Sequence, residues 1–440
     1  MRMKIYDNTT RKLSEEEISS AKPDLERIAN IKIGELSLED NPNLLVFPRD
    51  LHRYGDEISE NCIISMRDDE ISTGNIMGFV GVKETQLDIK SRFAKEDEDD
   101  YFLHYMLQKV FSINLFDIKH TTRQEDIFDF LLYLFPHFLK KALAQGLFKK
   151  YRRFEYNDAN IRGPIDVNRH IRENIPFRGT VAYSTREHSY DNEVTQLVRH
   201  AIEYIRTKEH GAIILNNDPE TKACITQITL ATQSYNVRER MKVINQNLRP
   251  IRHPYFSAYT DLQNLCLRIL RHESLKYGQE KDKVYGVLFD GAWLWEEYLN
   301  TILKEFDFTH PRNRVDNVGK KFFSTPAKVL VQPDFFIENK IVLDAKYKGH
   351  TSLFDNNQRE DRFQLLAYMH IFKAPISALI VPIPIAESGE ITGGGKMHLI
   401  GMTVEHKCDS FSDYINMMSQ SETTLKTTIE NLINNTERTN

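Results

Sequence analysis

The sequence predicts a mixed α/β (α+β) chain in three parts: a β-rich N-terminal module over residues 1–120, a mainly helical region over 121–280, and a C-terminal mixed sheet flanked by helices over 281–440. Three observations predict it. Short β-type runs punctuated by Gly and Pro dominate the first part, whereas apolar residues at three- and four-residue spacing dominate the middle. In the last part the order is helix, hairpin, helix, strand. A chain of 440 residues exceeds the usual single core, so two or three domains are expected.

The β-type runs are Asn30–Leu36, Leu44–Pro48, Cys62–Met66, Ile76–Val82 and Gln86–Lys90, with one early helix from Ser14 to Ala29. The acidic run Glu96–Asp100 stands before Tyr101–Leu107, where acids complement a helix N-terminus. From Glu125 to Lys150, Ile127, Phe130, Leu131, Leu134, Phe138, Leu143 and Leu147 keep helical spacing, with Pro136 expected to kink or split the helix. Between Lys149 and Arg178 lie Lys149, Lys150, Arg152, Arg153, Arg162, Arg169, Arg172 and Arg178 against four acids. With Tyr151, Phe154 and Tyr156 interleaved, this strip is a candidate phosphate contact or the solvated face of a helical subdomain. Helices follow over Glu193–Glu209 and Asp261–Leu275, and the loop between them holds Arg238, Arg240, Lys242, Arg249 and Arg252.

The C-terminal part holds the chemistry. Asp290 is a plausible helix N-cap before an inward stripe of Leu294, Trp295, Tyr298, Leu299 and Ile302, and Glu296 lies beside that stripe. Val329 to Lys348 reads as a hairpin turning at Glu338-Asn339-Lys340, with carboxylates where a buried strand would be apolar. Asp344 and Lys346 share a face about 7 Å apart, and Asp334 falls across from Asp344 and Ala345. Two acids and an ammonium there can bind a hard divalent cation and place a lysine near the attacked group. Solvated charges on an edge hairpin give the same short pattern, so the neighbours decide. Downstream, Gln364 and Tyr368 share a face at i, i+4 of a helix, and Ser377–Val381 reads as the next strand.

The set Glu296, Pro333-Asp334, Asp344-Ala345-Lys346 and Gln364-x-x-x-Tyr368 resembles the PD-(D/E)xK nuclease superfamily, in its branch with a Gln-x-x-x-Tyr motif. Upstream, Gly78–Val82 with Gln86–Arg92, Ile161–Asp166 and Asp191-Asn192 resemble the McrC family, the nuclease subunit of McrBC-type, modification-dependent (type IV) restriction systems. The likeness runs from about residue 75 to 385. It implies a restriction-endonuclease-like core, Mg2+ (Mn2+ able to substitute) and hydrolysis of double-stranded DNA carrying 5-methylcytosine or another modification. Asp334, Asp344, the Ala345 carbonyl and Glu296 would then be the metal set, Lys346 would position or activate water, and Gln364 and Tyr368 would support the acids or the phosphate. It further implies an antiphage role beside an McrB-like AAA+ GTPase ring that the N-terminal part would contact and stimulate, and leaves dimerisation of the nuclease domain open.

Other features bound these expectations. No Gly-x-x-x-x-Gly-Lys-Ser/Thr loop is present, so no nucleotide is expected on this chain. Cys62, Cys224, Cys266 and Cys408 are scattered, which argues against zinc, a disulfide framework or the iron–sulfur cluster of a Cas4-like nuclease. The start of the sequence lacks a signal-peptide pattern and no apolar run would cross a bilayer, so a cytoplasmic protein without membrane contact is expected. A net charge of −5 means that DNA contact must come from local patches. The rival readings are a non-catalytic adaptor that activates the partner NTPase, a RecB-like exonuclease, and a restriction enzyme acting on unmethylated sites.

Overall fold

The computed structural model describes residues 1–36, 44–48, 58–83, 85–94, 100–111, 124–208, 211–216, 218–275, 284–311, 318–325, 329–349, 351–404, 408 and 410–437. In chain order, the first part contains β1 (Arg2–Tyr6), β2 (Thr10–Lys12), α1 (Glu15–Ser20), α2 (Lys22–Leu25), β3 (Leu44–Phe47), β4 (Ile64–Arg67), β5 (Glu70–Thr73), β6 (Ile76–Val82), β7 (Thr85–Lys90) and α3 (Tyr101–Phe111). The middle contains α4 (Gln124–Leu143), β8 (Lys150–Asp158), α5 (Val167–Asn174), β9 (Val181–Ser189), α6 (Glu193–Arg206), α7 (Gly211–Asn216), α8 (Pro219–Ala231), α9 (Arg240–Gln246) and α10 (Ala258–Leu275). Then follow β10 (Val284–Asp290), α11 (Gly291–Leu303), β11 (Lys320–Lys321), β12 (Leu330–Val331), β13 (Phe335–Ile337), β14 (Ile341–Ala345), α12 (Arg359–Phe372), β15 (Ile376–Val381), β16 (Ala386–Glu390), β17 (Lys396–Gly401) and α13 (Phe411–Glu437).

The chain divides into two compact units, 1–119 with 280–440, and 120–279. That differs from the three-part expectation, and β10 is the reason. The N-terminal sheet has the order β1-β7-β6-β10-β3. Its β10 pairs antiparallel with β6 and parallel with β3, so a strand from beyond the middle region occupies an inner position. Val284 and Leu288 of β10 are buried in the same apolar cluster as Met3, Ile5, Val80 and Leu87. A second sheet in this unit runs β13-β14-β15-β17-β16, with β14, β15 and β17 parallel and the two edge strands antiparallel. Its apolar side packs under α12 through Val342, Leu365, Met369, Phe372, Leu379 and Leu399.

Several elements differ from the sequence expectation for local reasons. The early helix is broken at Ala21 into α1 and α2, because Pro23 supplies no backbone N–H. Ser14 and Glu17 close α1 with a reciprocal capping box. Residues 30–36 form a turn, not a strand, fastened by single bridges such as Lys32 to Cys62, with Asn30 at φ +60°. Glu96–Asp99 lie outside the described residues. Asp100 at the end of that run is buried and accepts from Leu103 N at 3.0 Å at the start of α3.

In the unit 120–279, α4 runs through Pro136 without a break. The side chains of Ile127 and Phe130 lie outside the described residues. The basic strip is a two-stranded ribbon, β8 against β9 in full antiparallel register, with α5 between them in sequence. Much of its charge is neutralised on the spot: Lys150 pairs with Glu193, Arg169 with Glu155 at 2.6 Å, and Arg153 with Asp166 at 3.6 Å. The core of this unit is helical, with Leu197, Ala201 and Ile205 of α6 and Leu262, Leu265 and Ile269 of α10 fully buried. No helix among the described residues is long and apolar enough to cross a membrane.

Candidate active site

The hairpin β13–β14 turns through Asn339, whose φ of +62° is a left-handed conformation that Asn tolerates better than most residues. Phe335 faces Leu343, so the register carries Asp334 to the far end of β14. There Ala345 N–H donates to Asp334 Oδ2 at 2.6 Å. Asp344, one residue earlier, is 2% exposed on the inner strand of the sheet. A carboxylate so enclosed must be compensated, since an isolated buried charge is costly. Its compensation is Lys346, whose Nζ stands 2.8 Å from Asp344 Oδ2.

Helix α12 supplies the other wall. Gln364 Oε1 accepts from Lys346 Nζ at 3.1 Å, and Gln364 Nε2 donates to Tyr368 OH at 2.7 Å and to Asp344 Oδ1 at 3.4 Å. The i, i+4 spacing therefore makes one hydrogen-bonded chain from Tyr368 through Gln364 to Lys346 and Asp344. Burial lowers the affinity of Lys346 for its proton, but the charges of Asp344, Asp334 and Asp361 outweigh that and raise its pKa, so it is an ammonium. Burial, then the charge of Asp344, raises the pKa of Tyr368, which stays a neutral phenol.

Glu296 projects from α11, whose start is capped by Asp290 accepting from Ala292 N at 2.8 Å and Trp293 N at 3.0 Å. Its Oε1 lies 3.7 Å from His310 Nδ1, and the same nitrogen is 2.7 Å from the carbonyl oxygen of Asp334. Glu296 thus reaches the hairpin through His310, a residue that nothing in the sequence singled out. A one-residue bridge from Thr309 to Phe336 brings His310 in, and its ring stacks on Phe335 at 4.7 Å. Lys348, at the end of the hairpin, is paired with the buried Asp361 at 2.6 Å and with Gln358 at 3.2 Å.

The donor set suits a hard cation. Asp334, Asp344 and the Ala345 carbonyl would offer oxygen donors, and Mg2+ is commonly held by one or two carboxylates while water and phosphate fill its remaining positions. Among the described residues no group of three or more His, Cys, Asp or Glu side chains is placed to hold a metal ion.

The family profile described as McrBC 5-methylcytosine restriction system component matches residues 71–382. Among solved structures, the chain is similar to one in a refined half-complex from a tetradecameric assembly of Thermococcus gammatolerans McrB AAA+ hexamers with bound McrC. The identity is 16% and the TM-score 0.47, over 96% of this chain and 100% of that one. It is also similar to a chain of the cryo-EM Thermococcus gammatolerans McrBC complex, at 15% identity and a TM-score of 0.33, over 69% of this chain and 87% of that one. No curated protein sequence matches. The matched span runs from β5 through the hairpin and α12 to the end of β15, and on that match the chain belongs to the family of McrBC 5-methylcytosine restriction system components.

Proposed function

We propose that this chain is the McrC-type nuclease subunit of its system: a Mg2+-dependent endodeoxyribonuclease of the PD-(D/E)xK kind that cuts modified double-stranded DNA and works with, and stimulates, a McrB-like AAA+ GTPase ring. The observation that carries it is the position of Lys346 Nζ, 2.8 Å from Asp344 and 3.1 Å from Gln364, at the end of the strand whose Ala345 N–H holds Asp334. A bare ion pair on an edge hairpin would need neither the glutamine nor the second acid.

In this reading Asp334, Asp344 and the Ala345 carbonyl hold the cation, and Glu296 steadies Asp334 through His310. A bound divalent cation supplies Lewis-acid stabilisation of charge on the phosphoryl and leaving oxygens. Lys346, kept protonated by the acids, donates hydrogen bonds to the attacking water or a phosphate oxygen. Gln364 fixes the lysine's direction by accepting one of its protons, and Tyr368 fixes the glutamine. Because the chain carries no nucleotide-binding loop, the family's nucleotide-driven step is assigned to a partner, and target choice with it.

The test is the complex of this chain with its AAA+ partner on methylated and unmethylated duplexes, with GTP or ATP. Asp344→Ala and Lys346→Ala should each lower cleavage by about a thousandfold, a few kcal/mol of transition-state stabilisation, while the partner's GTPase stays stimulated. Cleavage persisting in both variants rejects the nuclease reading and leaves the adaptor role.

A further inference from the structure

β14 ends at Ala345, and two residues further on Tyr347 turns its side chain into the core. Its side chain is 4% exposed and enters the end of the N-terminal sheet. Tyr347 OH lies 2.9 Å from Ser91 Oγ and 3.2 Å from Met77 Sδ. Its ring meets Phe93 edge-on at 5.2 Å, and the Arg92 guanidinium covers it at 4.9 Å. Arg92 is itself locked, with Nη2 2.5 Å from the wholly buried Asp7 of the β1 end and a further bond to Asn75. Ser91 N–H donates to Asp100 at 2.5 Å, which ties the same corner to the start of α3. On the remaining side stands Gly291, the first residue of the helix that bears Glu296, where a Cβ would come within 2.9 Å of the ring.

We propose that Tyr347 is the positioning residue for Lys346, so that the Ser91–Arg92 corner of the N-terminal sheet is a working part of the hydrolytic centre. The inference rests on the nuclease reading for its activity arm only. Lys346, the first residue after β14, is anchored across the sheet by its N–H to Ile380 O at 2.9 Å and otherwise only locally, its carbonyl oxygen accepting from Lys348 N at 3.1 Å. A long flexible side chain needs a fixed root to deliver an ammonium between Asp344 and Gln364. The buried phenol next door supplies that root: its ring is enclosed by Phe93, Arg92 and Gly291 and its hydroxyl is bonded to Ser91, which holds the Cα of residue 347 in place. Through Gly291 the same ring sets the start of α11, so the lysine and Glu296 share one reference point.

The experiment compares Tyr347→Leu, Tyr347→Phe and Ser91→Ala in the full chain with its AAA+ partner. Two quantities are read: cleavage kinetics, and acylation of individual lysines by mass spectrometry, with Lys109, paired to Glu422 at 3.0 Å in the same unit, as the internal control. Tyr347→Leu should lower kcat by about tenfold or more with KM within about twofold, since a displacement near 1 Å is costly in rate. It should also raise acylation of Lys346 several-fold with Lys109 unchanged. Tyr347→Phe, which keeps the ring, should recover most of the rate. Wild-type kcat in Tyr347→Leu, unchanged Lys346 acylation, or a parallel rise at Lys109 that marks general loosening, each overturns the proposal. If the wild-type complex cuts nothing, the nuclease reading fails, and the acylation arm still decides this one.

Discussion

Lys346 and Asp344 neutralise each other in a nearly closed site, and their separation tests the cation chemistry without any cleavage assay. Lys346→Met leaves Asp344 buried with no ammonium, which should cost about 2 kcal/mol, below the range for fully buried pairs because Lys346 keeps 24% exposure. A divalent cation should replace the lost charge. Millimolar Mg2+ is therefore expected to raise the Tm of Lys346→Met more than that of the wild type in a thermal melt, and equal shifts would remove the carboxylates as its site. Asp100 offers a second test. Burial pushes its pKa up to about 6, against the bonds it accepts from Ser91 and Leu103. A carboxyl raised above its unfolded value stabilises the fold while protonated, so this contribution is present at about pH 4 and is lost as pH rises through about 6. In urea melts from pH 4 to 7, Asp100→Asn should flatten that decline; an unchanged pH profile would assign the decline to other groups.

At the scale of elements, α11 and the segment that follows β14 meet at Gly291 and Tyr347, and a single methyl probes the contact. In Gly291→Ala the new Cβ would stand 2.9 Å from one ring carbon of Tyr347 and 3.3 Å from the Met77 methyl. Overpacking of this kind costs about 1–3 kcal/mol and should lower both Tm and cleavage, whereas Gly74→Ala, with open space around it, should change neither. Equal behaviour of the two variants would mean that α11 shifts without strain. The hairpin, α11 and α12 were legible because each joins a regular apolar period to a sharp end signal: Asn339 at the turn, Asp290 at the cap, and Gln364 with Tyr368 one turn apart. The ribbon β8–β9 was not. β8 has no buried residue, with Tyr151 and both flanking basic residues exposed, and the buried Ala182, Tyr183 and Ser184 of β9 are consecutive, so neither strand carries an alternating apolar pattern. His310 was hidden for another reason, since a lone histidine held by a one-residue bridge leaves no pattern at all. The run Val284–Asp290 is apolar enough to be a strand, yet its length reads equally as the approach to the helix that follows.

For the whole molecule, β10 decides what can be cut. A fragment of residues 1–255 lacks the strand between β6 and β3 and leaves two inner edges unpaired, so it should not unfold cooperatively in circular dichroism. Removing 120–279 and joining the ends by a flexible Gly/Ser linker of about 20 residues should preserve a cooperative transition. Cooperative melting of 1–255 would mean that β10 is dispensable. The site residues came from a contiguous stretch and so were readable in sequence, whereas the pairing of Leu44 with Gly286 joins positions too distant for any local pattern to announce. That pairing also sets an order of events during synthesis. The β6–β7 hairpin can close as soon as it leaves the ribosome, but the parallel edge of β3 must wait until the whole helical unit has been made. Until then the apolar strands at the start of the chain are exposed to other nascent chains, and the strand that buries them leads directly into Gly291 of α11. A half-made copy therefore carries no assembled candidate site.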